Sequence, residues 1–112
     1  MKIITEKISK QELLKSVEDE YGDIIKAVVD IEKEIIAVGG ELHADGESLL
    51  LDHGSVQTNL WGINIHLNNA PQELVEFDSM INIRPRQGNR YRYIESKEMR
   101  DKIADIVNKL IQ

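Results

Sequence analysis

ELHADGESLLL, residues Glu41–Leu51, sets an Asp-Gly pair between two apolar-containing halves. Read with a period of two, Leu42, Leu49 and Leu51 share one face, and Glu41, His43, Ser48 and Leu50 share the other. Asp45-Gly46 then serves as a two-residue hairpin turn. That register sets Ala44 opposite Glu47, His43 opposite Ser48 and Leu42 opposite Leu49. The stretch is expected to be a β-hairpin within a run of strands, with Leu42, Leu49 and Leu51 on the core side.

Upstream, Ile24–Val38 (IIKAVVDIEKEIIAV) fits two patterns. Ile24, Ala27, Val28, Ile31, Ile35 and Val38 have helical spacing. Ala27, Val29 and Ile31, followed by Ile36 and Val38, fit two strands joined near Glu32–Glu34. The density of β-branched residues favours the strands, although the turn lacks Gly or Asn. Lys2–Ile8 suits a brief edge strand. Ser9-x-x-Glu12 is a capping box, and Leu13, Leu14, Val17 and Tyr21 make an apolar stripe, so a helix is expected over Lys10–Tyr21 with Gly22 as its stop.

Downstream, Trp61, Ile63, Ile65 and Leu67 alternate with Asn64 and His66. Val75, Phe77, Ser79, Ile81 and Ile83 alternate with Glu76, Asp78, Met80, Asn82 and Arg84. Pro85 ends regular pairing, and Gln87-Gly88-Asn89 forms a tight turn. Ser96 caps a last helix whose stripe is Met99, Ile103, Ile106, Val107 and Leu110. The expected fold class is α+β: a mainly antiparallel five-stranded sheet with an N-terminal and a C-terminal helix, in a single domain over residues 1–112. Two helices cover one face of such a sheet. The other face is expected to carry Glu41, His43, Asn64, His66, Asp78, Asn82 and Arg84.

Composition narrows the class. With 112 residues, 41% hydrophobic and 30% charged, the chain has the makings of a folded core and not of a disordered segment. It contains no cysteine, which excludes disulfides and thiolate chemistry. No segment suits a signal peptide or a membrane span, so a cytoplasmic protein is the expectation. The net charge of −6 argues against nucleic acid as a partner. Charge is also segregated. Glu34–Ile83 holds eight acids and no lysine or arginine, whereas Arg84–Tyr93 holds four arginines and no acid.

Three blocks carry a resemblance: GGELHADGESLLLDHGS (Gly39–Ser55), QTNLWGINI (Gln57–Ile65) and FDSMINIRPRQGNR (Phe77–Arg90). Together they resemble a family of small bacterial and archaeal proteins classed as a domain of unknown function. The resemblance implies no activity and no catalytic residues.

The arginine loop is the first candidate site. Arg84, Arg86 and Arg90 offer planar donor pairs suited to phosphate or carboxylate, with Gln87 and Asn89 as hydrogen-bonding neighbours. Tyr91 and Tyr93 suit stacking. The competing reading is that these arginines pair with Asp78, Glu76 and other acids of the protein itself. His43 and Asp78 complete the candidate set. His43, His53 and His66 show no metal-ligand spacing, so neither a metal nor a cofactor is expected. Ser55 and Ser79 lack a nucleophile elbow, and Trp61 reads as core.

The leading functional expectation is a non-catalytic binding or interaction module, forming a homodimer or binding a small anionic ligand or an acidic protein segment. The alternative is a small hydrolase acting on a phosphorylated or nucleotide-like substrate, with the arginines binding the anion and His43 or Asp78 as acid or base. A third reading, an RNA-binding component, needs Lys97 and Lys102 to extend the basic surface.

Overall fold

A computed structural model describing residues 1–17 and 24–112 resolves the β-branched run as two antiparallel strands, β2 (Ile24–Asp30) and β3 (Ile35–Val38). Their turn needs no glycine because Asp30 organises it. Its Oδ1 accepts from the amides of Glu32 and Lys33, both at 2.9 Å, and Glu34 takes the left-handed conformation with φ of 55°. With β1 (Lys2–Ile4), β4 (Leu60–His66) and β5 (Val75–Glu76) they form one antiparallel sheet in the order β1-β3-β2-β4-β5. The helices are α1 (Lys10–Val17), α2 (His43–Asp52) and α3 (Lys97–Leu110). The fold is the expected α+β class, with five antiparallel strands and helices in the N-terminal region and at the C-terminus. No helix among the described residues is long and apolar enough to cross a membrane.

The period of two sorts the core. Ile25, Ala27 and Val29 of β2 pair in register with Ile65, Ile63 and Trp61 of β4 and join Ile36 and Val38 on one face. Leu13 of α1 and Ile103, Ile106, Val107 and Leu110 of α3 cover that face. Both helices begin at serine caps: Ser9 Oγ accepts from the Glu12 amide at 3.0 Å, and Ser96 Oγ from the Met99 amide at 3.2 Å. The rest of the helix expected to run to Tyr21, with its Gly22 stop, lies outside the described residues.

The other face overturns the reading of Glu41–Leu51. That stretch is α2, not a hairpin. Asp45 is its third residue, and the carboxylate reaches back to accept from the Leu42 amide at 3.1 Å. An acid there also complements the helix dipole. His43, Gly46, Glu47 and Leu50 follow at i, i+3, i+4 and i+7, and Leu50 is fully buried while Leu42 and Leu51 are exposed. Gly46 lies against the sheet, where an added Cβ would sit 3.0 Å from Val28 Cγ2. Glycine therefore allows close approach of helix to sheet. It does not make a turn. Leu50 completes a second cluster with Val28, Ile35, Ala37 and Leu60. The second face is thus partly covered by α2, and only its remaining part is polar. The sheet still has five strands because β1 joins it at the edge, beside β3.

The expected strand from Val75 also stops early. Its ladder with β4 ends after Glu76, and 3-10 turns follow at Met80–Asn82 and Pro85–Gln87. Two contacts explain the change. Asn82 Oδ1 accepts from the Gly62 amide at 2.8 Å, and its Nδ2 donates to the Gly62 carbonyl at 2.9 Å, so a side chain does what a strand would have done. Ser79 lies over Gly62, where an added Cβ would fall 2.5 Å from Ser79 Cβ. Gly62→Ala is therefore expected to lower stability by about 2 kcal/mol, in the range for overpacking a core. Urea denaturation checks it. Unchanged stability would mean that Ser79 does not rest there.

Candidate functional site

The segment from Phe77 to Glu95 is held by its own polar side chains. Asn89 is buried, and its Nδ2 donates to the carbonyls of Asn82, Tyr91 and Tyr93 at 2.8, 2.9 and 3.1 Å. Its Oδ1 accepts from the Glu95 amide at 2.9 Å. Arg84 is equally engaged. Nε donates to the Ile81 carbonyl and Nη1 to the Gln57 carbonyl, both at 3.0 Å. Nη2 faces Glu47 of α2 at 3.3 Å, and the guanidinium lies 4.9 Å from the Trp61 ring centroid. Burial pulls the Arg84 pKa down and the Glu47 carboxylate opposes this, so the charge is retained. Gln87 Nε2 donates to the Thr58 carbonyl at 3.0 Å. Trp61 is buried, and its indole N–H has no hydrogen-bond partner among the described residues.

Arg86 and Arg90 differ from Arg84. Both are exposed, and neither guanidinium has a partner among the described residues; only the Arg90 amide is bonded, to Glu95. Met80, Ile83, Tyr91 and Tyr93 are exposed on the same loop. Gly88 has φ of 80° and open space around it, which is the left-handed residue the tight turn requires. Arg92 forms a two-point pair with Asp78, at 2.9 and 3.1 Å, and the Arg100 guanidinium lies 5.0 Å from the Tyr93 ring centroid.

A second polar group occupies the part of the sheet that α2 leaves open. His43, at the start of α2, bonds the Ile63 carbonyl through Nε2 at 2.7 Å. A carbonyl only accepts, so Nε2 carries the proton, and the Asn64 side chain is a further neighbour of the ring. Burial pushes the His43 pKa below its ordinary value, against the opposing effect of that hydrogen bond, and the ring is neutral at pH 7. Beside it Lys26 Nζ donates to the Glu41 carbonyl at 2.7 Å. Asn64 Nδ2 donates to Glu76 at 2.8 Å, and His66 Nε2 lies 3.4 Å from the same carboxylate. The Asn64 hydrogen bond, followed by His66, holds the Glu76 pKa below the usual carboxylate range. Among the described residues no group of three or more His, Asp or Glu side chains has metal-binding geometry.

The candidates therefore divide. Arg84, Gln87 and Asn89 are internal fasteners of the loop. Asp78 is tied to Arg92. His43 sits on the neighbouring polar patch, one helical turn from the Glu47 that binds Arg84. Arg86 and Arg90 present free guanidinium groups to solvent.

The family model described as Protein of unknown function (DUF5674) matches residues 2–110. The chain belongs to the DUF5674 family. No curated protein and no solved structure matches the chain. Membership in DUF5674 carries no activity with it, so the site of this DUF5674 chain is read from its own geometry.

Sequence reasoning passed over Glu47, the acid that meets Arg84, and Lys26 beside His43. It also passed over Leu42, Leu51 and Val56 as exposed apolar residues, because the hairpin register put Leu42 and Leu51 inside. The i, i+3, i+4, i+7 series from His43 to Leu50 is the signal that would have set Glu47 toward the sheet and turned Leu42 and Leu51 outward; no local signal marks Lys26 or Val56.

The two kinds of arginine separate experimentally. Arg84→Ala leaves Glu47 without its partner and takes a donor from the Ile81 and Gln57 carbonyls, and is expected to cost about 3 kcal/mol. Arg86→Ala is expected to stay within about 0.5 kcal/mol of wild type. Thermal unfolding of both variants checks the contrast; equal losses would put Arg84 and Arg86 in the same role.

Proposed function

We propose that this DUF5674 protein is a non-catalytic interaction module that receives an acidic protein segment on its arginine-bearing loop. One observation carries this reading: Arg86 and Arg90 are unpaired among the described residues and share a loop, braced by Asn82, Arg84 and Asn89, with exposed Met80, Ile83 and Tyr91. Arginine, tyrosine and methionine are the side chains enriched where proteins meet. A braced loop also loses little conformational entropy when it binds. Free guanidinium groups call for carboxylates, and the adjoining apolar side chains call for more than a bare anion. A peptide segment carrying both kinds of group suits them.

The hydrolase reading has less support. Arg86 and Arg90 are free to hold an anion, but the other groups a hydrolase needs already have partners in the protein: Arg84 with Glu47 and two carbonyls, Asp78 with Arg92, and His43 Nε2 with a backbone carbonyl.

Fluorescence anisotropy with a labelled peptide of alternating glutamate and leucine tests the proposal. The wild type should bind, more weakly as salt is raised. Arg86→Ala/Arg90→Ala should bind about tenfold more weakly or worse, since two charge-assisted hydrogen bonds are worth more than the 1.4 kcal/mol that a factor of ten represents, at about 1.5–3 kcal/mol each. The melting temperature should not move. Equal binding by the double variant would sink the reading.

A further inference from the structure

The acidic segment that suits the loop is present on the same molecule. Of the nine exposed large side chains with apolar surface among the described residues, seven belong to two neighbouring elements. Leu42, Leu51 and Val56 flank or lie on α2; Met80, Ile83, Tyr91 and Tyr93 lie on the arginine loop. The two elements are locked side by side. Arg84 reaches Glu47 of α2 and the Gln57 carbonyl just beyond it, and Gln87 reaches the Thr58 carbonyl. Ile81 of the loop packs in the same cluster as Leu49 and Leu50 of α2. The exposed apolar groups thus belong to adjoining surfaces, fixed in their relative position.

Charge divides these surfaces. On the α2 side Glu41 and Asp52 are exposed, with carboxylates unpaired among the described residues; the cations beside them come from outside the stretch, Lys26 on the Glu41 carbonyl at 2.7 Å and Lys33 next to Gly54, and neither bonds these carboxylates. On the loop side stand Arg86 and Arg90. A single copy cannot bring these groups together, because the Arg84–Glu47 pair and the Gln57 and Thr58 contacts hold the loop in place. A second copy turned by a half rotation can, since it sets each acidic half against a basic half and does so twice.

We propose that the acidic segment is α2 of a second copy of this chain, giving a two-fold dimer in which each arginine loop meets the other copy's Glu41–Val56 surface. The proposal rests on the reading of the loop given above and names its partner. A closed two-fold satisfies both halves at once and leaves no basic loop free to propagate a chain of contacts. It also covers exposed apolar side chains that the isolated chain leaves in water.

Sedimentation equilibrium with charge-reversed variants provides the test. The wild type should sediment at twice the chain mass. Arg86→Glu/Arg90→Glu and Glu41→Lys/Asp52→Lys should each be monomeric, because each sets like charges against each other at both contacts. Mixed in equal amounts, the two variants should form a heterodimer, since every contact then joins opposite charges. A wild type that stays monomeric up to ~1 mM, where the free energy of pairing would be weaker than about 4 kcal/mol, overturns the dimer. So does a dimer that both variants retain, or a mixture that stays monomeric although both variants are folded by circular dichroism. If a charge-reversed variant does not fold, Val56→Asp decides: a monomer supports the interface and a retained dimer overturns it. A monomeric wild type that still binds the glutamate–leucine peptide through Arg86 and Arg90 removes the dimer and leaves the loop reading standing. A monomer that binds no peptide removes both.

Discussion

The carboxamide of Asn82 closes on the backbone of Gly62, accepting from its amide and donating to its carbonyl. Strand β4 is paired along its whole length on the β2 side, but β5 covers its other edge only at Asn64 and Ile65. Beyond that point the edge is buried, and a buried amide or carbonyl without a partner costs about 1–3 kcal/mol. A primary amide is the one neutral side chain that presents a donor and an acceptor in the arrangement of a peptide group. Residue 62 must also be small, since Ser79 lies where its side chain would be. From this contact the chain can leave the sheet as a shaped loop and still close it.

The rest of the loop is nested on that contact. Asn89 holds the Asn82 carbonyl and gathers Tyr91, Tyr93 and Glu95 around itself. Arg84 ties the assembly to α2 and to the Trp61 ring. The polar residues of this block therefore serve mainly as internal hydrogen-bonding groups. What the scaffold does not use is left outside: two guanidinium groups and several apolar side chains, on a backbone with little freedom. This is why the proposed interaction surface is assigned to the remainder of the loop and not to the whole of it.

Strand β4 and helices α1 and α3 were legible because each declares itself locally, and β2 and β3 because their β-branched density outweighed a competing helical spacing. β-branched alternation marks the strands, and serine caps with one apolar stripe mark the helices. Helix α2 was not legible in that way. Two of the four residues on its sheet-facing series, His43 and Glu47, are polar, and a third is Gly46, so the helical period carries only one large apolar residue, Leu50. Leu42, Leu49 and Leu51 meanwhile mimic a strand, and Asp45-Gly46 mimics a turn. Asp45 acts instead on the Leu42 amide, and Gly46 admits the helix to Val28. The candidate site was legible in composition but not in role. The cluster of arginines was plain, yet only three-dimensional contacts distinguish Arg84, which is consumed, from Arg86 and Arg90, which are free. The strand expected to continue through Ile83 failed for a related reason, because a side chain can substitute for backbone pairing without leaving a periodic trace.

Asn82 seals the β4 edge as firmly as a strand would. Native-state hydrogen exchange at the Gly62 amide tests this most directly. If the edge is sealed, this amide exchanges only through global unfolding, with the same free energy of opening as the core amides of β2. If it exchanges at a low opening free energy typical of a loop while β2 stays protected, the edge is open, Asn82 does not hold it, and the account of the loop as a fixed scaffold is contradicted.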